Sequence, residues 1–215
     1  MMRTRFENQL EKLEQNIVYM GGLSEEIIAL SLEALGDATV IRQEKITKLY
    51  QQIEEMERDI EGACIKLLLR QQPVARDLRV ISSALKLVYD LKRIGAQSLE
   101  ISHLICSHTG PLIEDIPMLE KMADAVSQMV RSSLDALVEK NDSLTQEIIA
   151  KDATIDRYFD TIKEKLIHYL RQDSTYGDQA IHLLMIAKYL ERIGDHAVNI
   201  AKWVHFAITG QLDGG

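Results

Sequence analysis

Four carboxylate side chains recur at four-residue spacing in two apolar-periodic stretches of the sequence. Asp152 and Asp156 lie on the first stretch, and Glu191 and Asp195 lie on the second, where Asn199 continues the spacing. Residues four apart on a helix share one face and lie about 5 to 6 Å apart, so each pair forms an acidic stripe. Oxygen ligands of this kind suit hard cations such as Mg, Mn, Ca or iron. The alternative for a single stripe is a solvated acidic face.

The sequence between the two stripes predicts a turn between two helices. It runs over residues 172–178 and is rich in polar turn formers. Thr175 and Asp178 have the spacing of a capping box, which predicts that a helix begins there. We therefore expect an antiparallel helical hairpin that turns near residues 173 and 174.

This hairpin predicts a cluster of four carboxylates on one patch. Its register pairs Asp156 with Glu191 and Asp152 with Asp195. Four such groups without a nearby positive charge repel one another, and a bound divalent or trivalent cation removes that penalty. We predict that these four side chains form a metal site for Fe, Mn, Mg or Ca. Asn199 is expected to hydrogen-bond a ligand or a bound water beside it.

Composition favours an all-α protein and excludes several functions. The 215-residue chain has three prolines and 5% aromatic residues, and its long runs are rich in Leu, Ile, Ala, Glu, Lys and Gln. A net charge of −8 argues against a nucleic-acid-binding surface, which requires a basic face. Neither a signal-peptide core nor an uncharged run of membrane-spanning length occurs in the sequence. We expect a cytoplasmic protein without direct membrane insertion.

Breaker residues divide the chain into six predicted helices. Gly21 and Gly22 interrupt the first helix at a cost of about 1 kcal/mol each relative to alanine, which predicts close packing or a bend. The breaker-rich residues 108–117 predict a boundary between an N-terminal bundle, 1–110, and a C-terminal bundle, 111–215. The helices are expected over residues 4–35, 40–70, 73–107 and 117–140, followed after a turn at 141–143 by the two helices of the hairpin, the second over 178–207.

The two halves of the chain look like copies of one unit. Residues 91–96 match residues 190–195, and residues 53–54 align with residues 155–156. Each copy contains three helices, so the sequence predicts two tandem three-helix bundles. The predicted core face of the last helix consists of Ala187, Leu190, Gly194, Ala197, Ala201 and Val204.

The first copy lacks the acidic pattern of the second. Its hairpin is expected to place Tyr50 against Ala96 and to pair Glu54 with Lys92. We therefore expect an ion pair in place of the carboxylates, and a metal site only in the C-terminal bundle.

Two further features of the sequence involve cysteines and arginines. Cys64 and Cys106 stand alone within helical patterns and are expected to be reduced, buried thiols. Arg76 and Arg79, near the start of the third helix, are candidates for binding phosphate or an acidic partner, with surface ion pairs as the alternative.

Residues 70–79, 90–95 and 190–200, which read RQQPVARDLR, DLKRIG and LERIGDHAVNI, closely resemble the PhoU family. The resemblance extends in order over nearly the whole chain. It implies a duplicated three-helix-bundle fold, a homodimer, and a metal-associated Glu/Asp-x-x-x-Asp motif. That motif aligns with Glu191 and Asp195 in the second copy, whereas Lys92 and Ala96 occupy the corresponding positions in the first.

The same resemblance implies a regulatory function without catalysis. PhoU-like proteins are negative regulators of the phosphate-starvation response, so a cytoplasmic adaptor is expected, held at the inner face of the membrane only through its partners. Those partners are the ATPase subunit of a phosphate ABC transporter and a phosphate-sensing histidine kinase. The alternatives are a metal-binding or metal-storage bundle, a regulator of a different transporter, and a purely structural helical module. A di-iron oxidase is disfavoured because Gly194, not His, follows three residues after Glu191.

Overall fold

A computed structural model of the chain describes residues 2–33, 40–70, 74–107 and 117–211. These residues form six long helices and one short 3₁₀ turn, and no strand occurs among them, so the predicted all-α class is confirmed. The predicted boundary at residues 110 and 111 lies outside the described residues. The helices are α1 (Met2–Glu33), α2 (Val40–Arg70), α3 (Ala75–Ser107), α4 (Pro117–Glu139), α5 (Asp142–Gln172) and α6 (Gly177–Thr209), with the 3₁₀ turn at Ser174–Tyr176.

The helices pack as two bundles of three. Helices α1, α2 and α3 all contact one another, and so do α4, α5 and α6. The bundles meet where α3 packs against α6 and α1 packs against α4. The prediction of two tandem three-helix bundles is therefore confirmed. None of the helices in the described ranges is long and apolar enough to cross a membrane.

Equivalent glycines show the duplication in the packing itself. A Cβ atom on Gly95 of α3 would lie 3.0 Å from Cδ1 of Ile53 on α2. A Cβ atom on Gly194 of α6 would lie 3.4 Å from Cγ2 of Ile155 on α5. Each glycine thus lets its helix approach the isoleucine of the preceding helix closely. These four residues occupy matching positions in the two copies that the sequence predicts.

The predicted core face of α6 is confirmed, since Ala187, Leu190, Gly194, Ala197, Ala201 and Val204 are all buried. Both cysteines are free thiols. Cys64 is fully buried, and burial raises the pKa of its thiol to about 11. Cys106 is only partly buried, so the prediction of two buried thiols is wrong for that residue.

The start of α6 differs from the predicted capping box. The Asp173 side chain accepts a hydrogen bond from the Thr175 backbone N–H at 2.8 Å and so begins the 3₁₀ turn. Helix α6 then begins at Gly177, and Tyr176 makes no side-chain cap. The prediction of a capping box formed by Thr175 and Asp178 is therefore wrong, because the Asp173 side chain caps the 3₁₀ turn instead. The turn itself falls at residues 173 and 174, as the sequence predicts.

The connection between α4 and α5 is tighter than the predicted turn at 141–143. Lys140 takes a positive φ of 52°, which reverses the chain just after α4. Asn141 then caps α5, because its side-chain oxygen accepts a hydrogen bond from the Leu144 N–H at 3.3 Å. As a result, α5 already begins at Asp142.

A buried polar contact links the two bundles. The Asp90 carboxylate on α3 is only 4% exposed. Its Oδ1 atom lies 2.8 Å from Nδ1 of His196 on α6, and it also accepts a long hydrogen bond of 3.5 Å from the Asn199 amide. Because a buried carboxylate requires partners, this contact favours one arrangement of α3 against α6.

Gly21 on α1 packs closely against α4. A Cβ atom at this position would lie 2.5 Å from Cδ2 of the buried Leu134 on α4. The neighbouring Gly22 is exposed and has no such contact within 4 Å. The close packing predicted from this glycine pair thus applies to Gly21.

The two glycines are expected to respond in opposite directions to substitution by alanine. Gly22→Ala should raise the free energy of unfolding by about 0.5 to 1 kcal/mol, since alanine favours an exposed helix. Gly21→Ala should lower it by about 1 to 3 kcal/mol, because the methyl group displaces Leu134. Urea unfolding of the two variants measures both changes. A stabilising effect of Gly21→Ala would contradict the packing described for α1 and α4.

Candidate functional site

The hairpin of α5 and α6 brings together the four carboxylates that the sequence singles out. Asp152 and Asp156 lie on α5, and Glu191 and Asp195 lie on α6; these four residues are called the acidic cluster below. Asp152 and Glu191 are half-buried, whereas Asp156 and Asp195 are exposed. Packing of Gly194 against Ile155 sets this arrangement. The acidic cluster therefore lies beside the hairpin core and not inside it.

Burial and mutual repulsion act on the cluster together. Burial is the main cause that raises the pKa of Asp152, and the charges of Asp156 and Glu191 raise it further. Burial likewise raises the pKa of Asp195, with added repulsion from Glu191 and Asp152. The two helices thus hold neighbouring carboxylates close enough to Asp152 and Asp195 to disfavour the ionisation of those two groups.

Two lysines at the edge of the acidic cluster were missed by the sequence analysis. Lys188 forms an ion pair with Glu191 one turn away on α6. Lys202 lowers the pKa of Asp152, and Lys188 lowers that of Asp195, although the net shift of both acids is upward. The premise of a cluster without positive charge is therefore wrong. The three-residue spacing of Lys188 and Glu191 on a helix was the available signal.

The donor atoms of the acidic cluster suit a hard cation, since they are all carboxylate oxygens. As the side chains stand, however, no group of three or more His, Cys, Asp or Glu residues within the described ranges is arranged to hold a metal ion. Asn199, the predicted outer partner, directs its amide to Asp90 on α3. Metal binding at this site stays a prediction.

The equivalent patch of the first bundle has a different chemistry. The Lys92 Nζ atom lies 2.6 Å from Oε2 of Glu57. Tyr50 packs beside Gly95, with Cδ2 at 3.4 Å from the position of a Cβ atom there. Glu54 faces the same patch, because it raises the pKa of both Tyr50 and Lys92. An ion pair therefore occupies this patch, as predicted.

The partner in that ion pair is nevertheless different from the predicted Glu54. Side chains on a helix lean towards its N-terminus, and α2 and α3 run antiparallel. Lys92 on α3 therefore reaches towards the C-terminal end of α2, where it meets Glu57.

Comparisons with known proteins bear on the whole chain. The family model described as the PhoU domain matches twice, over residues 17–105 and 119–204. A phosphate-specific transport system accessory protein PhoU homolog from Clostridium acetobutylicum is 34% identical over 98% of this chain and 97% of its own length. The homolog of the same description from Pseudomonas aeruginosa is 32% identical over 96% of this chain and 86% of its own.

Two solved structures share this architecture. The crystal structure of PhoU from Pseudomonas aeruginosa superposes with a TM-score of 0.92 at 31% identity, covering 96% of this chain and 100% of that one. The phosphate transport system regulatory protein PhoU from Streptococcus pneumoniae superposes with a TM-score of 0.88 at 27% identity, covering 96% of this chain and 98% of that one. Both matches extend over the two bundles.

Neutralising one member of the acidic cluster is expected to stabilise the protein near neutral pH. The folded state raises the pKa of Asp152 above 3.8, so it binds this proton more tightly than the unfolded chain does. Stability is therefore lost as the pH rises through that pKa. Asp152→Asn should raise the free energy of unfolding by less than about 1 kcal/mol at neutral pH, as expected for a partly exposed charge.

The pH dependence and a control substitution test this expectation. The difference in the free energy of unfolding between Asp152→Asn and the wild type should shrink as the pH falls towards 3.8, where the wild-type carboxyl also becomes neutral. Asp160→Asn is the matched control on the same helix, since Asp160 is exposed and bonded to Lys163 at 2.5 Å. The Asp160→Asn substitution should not raise the free energy of unfolding. Urea unfolding at several pH values measures all three proteins, and a pH-independent gain in Asp152→Asn would contradict the electrostatic explanation.

Proposed function

The chain belongs to the PhoU family, and from this membership we propose that it is an accessory protein of a phosphate transport system that represses the phosphate-starvation response. The observation that carries the proposal is the match of both three-helix copies, over residues 17–105 and 119–204, to the PhoU domain. The relatives compared above are phosphate-specific transport system accessory proteins over nearly the same length.

In this role the protein acts as an adaptor and not as an enzyme. Its proposed partners are the ATPase subunit of a phosphate ABC transporter and a phosphate-sensing histidine kinase. It works as a homodimer on the cytoplasmic side of the membrane and reaches the membrane through these partners. When phosphate is plentiful, it keeps the kinase in its non-signalling state and limits uptake.

Exposed apolar side chains at the ends of the two hairpins support an adaptor role. The first hairpin tip, formed by the end of α2 and the start of α3, exposes Ile65, Leu69 and Leu78. The second hairpin tip, formed by the end of α5 and the start of α6, exposes Leu170 and Ile181. Apolar groups of this size gathered in one place on a surface are typical of protein-binding sites.

The two hairpin tips are far apart. The Arg79 side chain near the start of α3 lies against Gly210, just after α6 ends, so the two helices run antiparallel. Each is 33 residues long. At about 1.5 Å per residue, the tips lie about 50 Å from each other at opposite ends of the molecule. Two different partners are therefore able to bind without competing for one surface.

We propose in addition that the acidic cluster binds a hard cation, Fe, Mn, Mg or Ca, through Asp152, Asp156, Glu191 and Asp195. The raised pKa values of Asp152 and Asp195 support this: burial is their main cause, and a bound cation would offset both the burial of charge and the added repulsion between the carboxylates. Lys188 has to leave Glu191 for the metal to bind. The bound charge would stabilise the α5–α6 hairpin.

Metal binding is expected to raise the melting temperature. A metal present at about 100 times its dissociation constant stabilises the folded state by about 2.7 kcal/mol. Differential scanning calorimetry of metal-free protein, titrated with each cation, measures the shift. Glu191→Gln should reduce the shift strongly, whereas Glu164→Gln, an exposed control on α5, should retain it. A melting temperature that no cation changes would contradict the metal proposal without affecting the proposed adaptor role.

The regulatory role is tested with a phosphatase reporter under phosphate-starvation control. In phosphate-rich cells of the source organism, deletion of the chain should give high reporter activity. Restoring the wild-type chain should return the activity to its low level. Activity that stays low after deletion, in a strain without a second copy of the gene, would contradict the proposal and favour a metal-storage protein or a regulator of another transporter.

A further inference from the structure

A cavity of about 240 Å³ lies where the two bundles meet, outside the acidic cluster. Helices α1, α3, α4 and α6 all contribute to its wall. Most of the wall is apolar, with Leu13 and Ile17 from α1, Leu87 from α3, and Val204 and Ile208 from α6. Its volume equals that of about eight water molecules in the liquid, so it suits a ligand smaller than a typical drug.

Two buried polar groups in the cavity wall have no hydrogen-bond partner among the residues that the structure describes. Ser83 is 1% exposed, and its hydroxyl oxygen makes no hydrogen bond to any described residue. The buried Nε atom of Arg79 is likewise unpaired within the described part of the chain. Buried polar groups are nearly always hydrogen-bonded in folded proteins, so two unsatisfied groups in one cavity indicate a place where a ligand could accept their hydrogen bonds.

The charge around the cavity is predominantly positive. Arg76, Arg79 and Lys140 line it, and Glu14 is the one acidic residue among the described residues of its wall. Glu14 lies 3.9 Å from the Lys140 amine and so offsets that charge in part. Neither arginine forms an ion pair with a carboxylate of the described residues, so the surface ion pairs considered for them in the sequence are not found. An anion is therefore the complementary ligand.

The Arg79 guanidinium lies against the end of α6. Gly210 has a positive φ of 79°, and the Arg79 guanidinium occupies the place where a Cβ atom on Gly210 would lie. A side chain at position 210 would have to adopt this left-handed backbone and displace the Arg79 guanidinium, so glycine is favoured there. The guanidinium therefore lies beside the end of α6 at the cavity, and its Nε atom has no hydrogen-bond partner among the described residues.

We propose that this cavity binds a small anionic amphiphile, with its phosphate-monoester or carboxylate head at Arg79 and Ser83 and its apolar tail against Leu13, Ile17 and Val204. The guanidinium and the hydroxyl donate hydrogen bonds to the head. The tail replaces water along the apolar wall. This site does not depend on the proposed regulatory function, and the same ligand chemistry is available from soluble metabolites and from lipid breakdown products.

Isothermal titration calorimetry with defined probes tests the proposal. Octyl phosphate and octanoate carry both head and tail, inorganic phosphate carries only a head, and octanol carries only a tail. At least one of the two anionic probes should bind the wild-type chain with one-to-one stoichiometry below its micelle concentration. Inorganic phosphate and octanol should bind at least about tenfold more weakly, because each lacks one of the two complementary parts.

Variants locate the binding in the cavity. Arg79→Met should weaken binding of the anionic probe about tenfold or more while leaving octanol binding unchanged. Ser83→Ala should weaken it by a smaller factor. Arg93→Met is the matched control, since Arg93 is exposed on the same helix and outside the cavity wall. Circular dichroism confirms that each variant is folded.

Three results would overturn the inference. The first is no saturable binding of either anionic probe to the wild-type chain. The second is octanol binding as tight as that of the anionic probes, which would remove the role of the head. The third is an equal loss of affinity in Arg79→Met and Arg93→Met, which would indicate non-specific attraction to surface charge.

Discussion

Antiparallel packing of α3 against α6 is the constraint on which the rest of this structure depends. These are the third helices of the two copies, and each also packs against both other helices of its own bundle. The buried Asp90 carboxylate requires His196 across the interface, at 2.8 Å. Shifting the helices along each other would leave this charge buried without a partner, which is strongly destabilising. The pairing therefore fixes how the two bundles are placed.

The positions of the proposed functional surfaces follow from that placement. Each hairpin tip lies at one end of the α3–α6 pair, which keeps two apolar surfaces apart. The acidic cluster belongs to the second hairpin alone, because Lys92 and Glu57 form an ion pair at the corresponding patch of the first. The cavity lies between the bundles, where Arg79 meets Gly210. Duplication thus supplied one scaffold, and its two copies diverged in the chemistry of their surfaces.

Local patterns predicted much of this architecture. Apolar periodicity and breaker residues predicted the six helices. The polar turn at residues 172–178 predicted the second hairpin, in which Gly194 packs against Ile155, and the match of residues 91–96 to 190–195 predicted the first. The same reasoning did not predict which partners the long side chains contact. The reach of Lys92 to Glu57 depends on the tilt of side chains along a helix. The Asp90–His196 contact and the cavity join residues from different copies, so spacing along the sequence contains no signal for them.

Affinity isolation of the tagged chain from phosphate-rich cells tests the central claim, that the molecule is an adaptor for two partners. Mass spectrometry should recover both the ATPase subunit of the phosphate transporter and a sensor histidine kinase. Leu69→Ser at the first tip and Ile181→Ser at the second should each reduce at least one of them, whereas Tyr19→Ser, exposed on α1, should reduce neither. Recovery of neither protein above the untagged background would contradict the account.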